Sequence, residues 1–137
     1  MRFVYLLFIL ALNSPAAASN LSEHVANDLK NEVLQAHSKY LTGNLESRKT
    51  AMLTLSKLLE SIEANTRNKI VGPNTLAVTY IRLGILAKES NDLTEAGKYF
   101  NQGLTSYHLN DKEMTMETLV ETTYMLDNFA REYRTIR

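Results

Sequence analysis

The chain has 137 residues, with 15 Lys and Arg balancing 15 Asp and Glu, and no cysteine. A neutral chain offers no global field to draw it to nucleic acid or to an anionic membrane surface, which disfavours both as partners. The missing thiols exclude a disulfide framework, a thiolate metal site and the lipid-bearing cysteine of a lipoprotein, so the fold must rest on its hydrophobic core alone.

Met1-Arg2, the apolar run 3–12, the breaker Asn13-Ser14-Pro15 and the small residues Ala16-Ala17-Ala18 have the three-part form of a secretory signal peptide. The run is shorter than the roughly 20 residues that a bilayer crossing needs. Nothing after it is apolar enough for a stop-transfer segment. Cleavage before Ser19 is expected, leaving 19–137 as a single domain in the periplasm or outside the cell, without stable membrane insertion.

Asn20 or Ser22 caps a predicted first helix that runs to about residue 41, with Leu21, Val25, Leu29, Val33 and Tyr40 at helical spacing. Thr42-Gly43-Asn44 ends it. A second helix, about 46–64, carries an apolar stripe of Ala51, Leu55, Leu58, Leu59 and Ile62, and should pair with the first as an antiparallel hairpin. Residues 65–74, with the turn pair Gly72-Pro73, lack periodicity and read as one substantial loop. Two further helices follow, 74–90 and 93–107, and a last one runs from about Asp111 to Arg134 with Leu119, Leu126, Phe129, Tyr133 and Ile136 on its buried side. No strand pattern competes. The predicted fold is all-α, about five helices in antiparallel hairpins with a C-terminal capping helix.

The third and fourth helices carry the most specific pattern in the chain: Tyr80-x-x-Leu83-Gly84-x-x-Ala87, then Asn91-Asp92-Leu93, then Ala96-x-x-x-Phe100-x-x-Gly103-Leu104. A small residue at Gly84 lets the next helix approach closely, while Ala96 and Phe100 fill the crossing point from the other side. This spacing, over residues 77–110, resembles a tetratricopeptide repeat, with Tyr80 standing where that family usually has Trp and His108 where Pro commonly closes the unit. The first two helices look like a degenerate second unit, since Gly43-Asn44-Leu45 parallels Asn91-Asp92-Leu93 and Ala36 serves as the small residue.

By this resemblance the first helix of the repeat lines a concave, partner-facing surface, which here would consist of Val78, Ile81, Ile85 and Lys88. Ile81 and Ile85 stand where a peptide-carboxylate clamp would need polar groups, so a clamp is rejected in favour of an apolar groove suited to a helix or extended segment. The competing expectation is that the protein's own first or last helix fills the groove, because isolated domains seldom leave large apolar patches open.

Glu113, Glu117 and Glu121 recur at i, i+4 on the last predicted helix, a like-charge stripe that costs a few tenths of a kcal/mol per pair. It suits either a basic partner surface or the positive end of the helix dipole. Arg131, Arg134 and Arg137 suit the opposite end in the same way. His24, His37 and His108 have no ligand partners at metal-site spacing, and Met114, Met116 and Met125 read as core filler rather than copper ligands. No phosphate loop or nucleophilic signature is present, so the chain reads as a non-enzyme with no cofactor.

These features together predict an exported protein-protein interaction module, an adaptor or assembly scaffold in the cell envelope. Its partner would be another protein, a helical peptide segment or a second copy of itself. The groove of Val78, Ile81, Ile85 and Lys88 and the stripe of Glu113, Glu117 and Glu121 are the expected contacts. The alternatives are a small periplasmic inhibitor or immunity protein that blocks a cognate enzyme, and a self-associating structural protein.

Overall fold

The computed structural model describes residues 15–136, with side-chain environments from 23 to 134. Residues 1–14, which hold most of the expected leader, lie outside the described residues. Among the described residues the chain is entirely helical: α1 (Pro15–Thr42), α2 (Leu45–Glu60), α3 (Ala64–Val71), α4 (Thr75–Glu89), α5 (Leu93–His108) and α6 (Met116–Ile136).

α1 begins upstream of the expected caps at Asn20 and Ser22, since Pro15 suits a first helical position and Ala16 to Ala18 are strong helix formers. α2 is capped by Asn44, whose Oδ1 accepts from the Ser47 N–H at 2.8 Å. The expected loop at 65–74 is a helix over most of its length. Glu63 starts α3 by accepting from the N–H groups of Asn65 and Thr66, both at 3.0 Å, and these bonds hold its carboxyl below the usual range. Arg67 then reaches back to donate to the Leu59 and Ile62 carbonyls at 3.0 and 3.2 Å, tying α3 to the end of α2 and the turn after it. Gly72 closes α3 at φ +90°, a conformation that favours glycine.

α4 is the centre of the molecule. One side carries Leu76, Leu83 and Leu86 into a core shared with Leu29 and Tyr40 of α1 and Met52, Leu55 and Leu59 of α2. The other side carries Ile81 and Ile85 into a second cluster with Leu119 of α6, against which Phe100, Leu104 and Tyr107 of α5 pack. A helix that is apolar on both sides is a buried one.

The turn from α4 to α5 closes with the Asp92 N–H on the Ala87 carbonyl and the Asn91 N–H on the Lys88 carbonyl, with Asn91 left-handed at φ 59°. Asp92 then caps α5 by accepting from the Glu95 N–H at 3.0 Å. The close crossing anticipated at Gly84 is present: a Cβ there would lie 2.5 Å from Phe100 ring atoms. Gly103 makes a second close contact, since its Cβ would lie 2.6 Å from Ile81 Cδ1.

α6 differs from the expected helix in both start and orientation. Thr115 caps it, its hydroxyl accepting from the Thr118 N–H at 3.2 Å, so the helix begins at Met116 rather than at Asp111. Asp111 instead holds a turn by accepting from the Glu113 N–H, and His108 Nε2 donates to the Met114 carbonyl across the same loop. The side of α6 that is buried runs through Leu119, Thr123 and Asp127, whereas Leu126, Phe129 and Tyr133, expected inside, are exposed.

Candidate interaction surface

The residues expected to form one partner-facing surface are divided between core and exterior. Ile81 is 0 % and Ile85 1 % exposed, sealed by Leu119 from α6 and by partly buried Met116 and Val120. Val78 is half-buried and Lys88 exposed. The expected apolar groove is therefore filled by the chain's own last helix, and the assignment of Ile81 and Ile85 as partner contacts is corrected: they hold the fold together. Glu117 and Glu121 are exposed on α6, but Glu113 belongs to the preceding loop, so the acidic stripe is two residues of a helix and one of a turn.

Besides this apolar packing, a buried polar contact fixes α6 in place. Arg82 on α4 grips Asp127 on α6 with both ends of its fork, Nη2 to Oδ1 at 2.7 Å and Nε to Oδ2 at 3.3 Å. The side chains are only 12 % and 3 % exposed, so this pair sits in a low-dielectric seam. The same guanidinium lies 5.3 Å from the centroid of the Tyr40 ring, and Arg48 lies 4.8 Å from that centroid. Arg48 also donates to the Tyr40 carbonyl at 2.9 Å and pairs with Glu89 at 3.0 Å. Burial and the nearby Asp127 carboxylate push the Tyr40 hydroxyl up to about 12. Burial, then the charge of Arg82, push His37 below its ordinary value.

Through these contacts the seam joins α1, α2, α4 and α6. The sequence pattern does not reveal it. Arg82 and Asp127 are 45 residues apart, and polar residues on amphipathic helices read as solvated until their partners are known.

Turning Asp127 inward turns a different face of α6 outward. Met125 is 71 %, Leu126 56 %, Phe129 69 % and Tyr133 52 % exposed, at positions i, i+1, i+4 and i+8, which fall on one face of the helix. The Phe129 and Tyr133 rings stack with centroids 6.5 Å apart and planes 19° apart. The stripe presents on the order of 500 Å² of largely apolar surface, a size at which the largest patch on a monomer is often functional. Glu117 and Glu121 lie before it along the helix, while Arg131 and Arg134 fall on the side of α6 that carries Asp127 and act on His37.

Among the described residues no group of three or more His, Cys, Asp or Glu is placed to hold a metal ion. Met114 and Met116 pack against the Ile81 cluster while Met125 lies on the outer face, so the three do not converge. Between α1 and α2 runs an open cleft of about 520 Å³, bordered by Glu32, Gln35, Lys39, Asn44 and Thr54. Comparison with protein-family models, with curated proteins and with solved structures finds no match.

Proposed function

We propose that this chain is an exported protein-protein interaction module of the cell envelope, built around a tetratricopeptide-like helix pair in α4 and α5, and that it binds through the outer face of α6. The observation that carries this is the stripe of Met125, Leu126, Phe129 and Tyr133, exposed on a helix whose opposite face is locked by Leu119 and the Arg82–Asp127 pair. Aromatic anchors held on a rigid element lose little freedom on binding, which is what hot spots require. A partner helix laid along α6 would bury Phe129 at its centre, with Glu117 and Glu121 selecting charge at one end of the rim. No catalytic role is assigned.

The test is chemical cross-linking in the native envelope with Phe129→Asp. The substitution replaces an exposed side chain, so the helical signal and melting temperature should hold while specific cross-links are lost. Equal cross-linking by both proteins would remove the α6 face from consideration. Ile81→Asp is the contrasting variant, since a carboxylate at a fully buried position should abolish the fold itself.

A further inference from the structure

We propose that α6 is a proton-operated latch: a proton taken up by His37 weakens the hold of α1 and α4 on Asp127, lets α6 lift away on the 109–115 loop, and uncovers Ile81 and Ile85. The device lies on the inner side of α6 and goes beyond the use of its outer face.

The latch is narrow. Leu119, Thr123 and Asp127 are the buried residues among those described in α6, a strip one side chain wide over successive turns, and most of the others face solvent. Leu119 holds by apolar contact with Ile81 and Ile85. Thr123 donates its hydroxyl to the Leu119 carbonyl at 2.8 Å, a bond within α6 itself. The polar fastening to the rest of the fold is therefore Asp127 in the fork of Arg82. An element held by so little buried surface opens ahead of the domain as a whole.

His37 sits beside this fastening. It lies on α1 one turn before Tyr40, whose ring has the Arg82 guanidinium 5.3 Å from its centroid. From α6, Asp127, Arg131 and Arg134 recur at i, i+4 and i+7 and act on His37 from the other side of the seam. From α2, Arg48 lies on the same Tyr40 ring and is matched by Glu89 of α4. The charges acting on His37 are thus three cations, Arg82, Arg131 and Arg134, and one carboxylate that already holds Arg82. A proton on His37 adds a further positive charge to this half-buried cluster, and Asp127 can turn to meet it only by loosening its grip on Arg82. When α6 lifts, Arg131 and Arg134 leave with it and His37 gains water. His37 therefore holds its proton less well with α6 closed than with α6 released, so acid favours release, increasingly as pH falls below the ordinary 6.5.

The cysteine-free chain allows α6 to be probed with a single thiol. Thr123→Cys places one beneath α6 and Ser56→Cys places one in the core of α2, each replacing a small buried side chain. Each protein, purified as cells process it, is treated with dithiodipyridine at about pH 7.5 and about pH 5.5, on either side of the histidine range. Dividing each rate by that of an unstructured cysteine peptide at the same pH gives the opening equilibrium. The thiol at position 123 should open at least about tenfold more often than the thiol at position 56, and at least about threefold more often at the lower pH than at the higher. Adding His37→Gln should remove the rise with acid and keep the gap between the two thiols. Equal opening at the two positions would show that α6 parts only when the whole domain unfolds, and would overturn the latch. A rise that survives His37→Gln would overturn His37 as the trigger, and no rise with acid would overturn the switch.

Discussion

His37 on α1 is half-buried among the charges of the seam: Arg82 from α4, and Asp127, Arg131 and Arg134 from α6. Burial is the largest influence on it and the arginines act in the same direction, with only Asp127 opposing, so its folded-state value lies below the ordinary 6.5. Between the two values the unfolded chain binds more protons than the folded one, so stability is fully present above 6.5 and falls as pH drops through that window. Urea unfolding at stepped pH should show this decline beginning just below neutrality, and His37→Gln should flatten it. Tyr40 gives the opposite limb. Its hydroxyl is raised from 10 to about 12, so the folded state keeps a proton that the unfolded state releases, and stability should decay as pH climbs from 10 towards 12. The same series, extended to alkaline pH, measures both.

At the scale of elements, the α4–α5 crossing shows two effects of opposite sign. Gly84→Ala gains about 1 kcal/mol of intrinsic helix preference. Its new Cβ, however, would lie 2.5 Å from two Phe100 ring atoms in a packed crossing, and overpacking of this kind costs about 1–3 kcal/mol. We expect net destabilisation, read as a lower urea midpoint, and partial recovery when Phe100→Leu is added. This crossing was legible in the sequence because it is a local arrangement, in which small and aromatic residues at fixed offsets on neighbouring helices imply one another. α3 was not, because its start rests on a Glu63 cap and its end on Gly72-Pro73, a composition that reads as loop. The face of α6 was misread for a different reason. Leu119 belongs to both candidate stripes, and hydrophobicity favours the one through Leu126, Phe129 and Tyr133. The observed face is selected by Asp127, whose partner Arg82 lies on another helix, so no pattern within α6 could have chosen it. The candidate site was missed with it, since those same three residues were expected inside.

For the whole molecule, α4 serves two cores at once and α6 closes the second of them over Ile81 and Ile85. Removing one member of the buried pair that holds α6 strands the other charge, so Asp127→Ala should cost about 3–5 kcal/mol. Replacing both partners, Arg82→Met with Asp127→Leu, should recover most of that loss, because the desolvation of two charges is removed along with their attraction. Hydrogen exchange should find the protection of α6 lost first in the single variant.

The order in which the chain is made gives this closure a further consequence. The 21 residues of α6 leave the ribosome after the two helices that they cover. Until they arrive, Ile81 and Ile85 face water on an otherwise folded helix pair. A chain without α6 is therefore stickier than the folded one, and α6 acts as an internal stopper over Ile81 and Ile85.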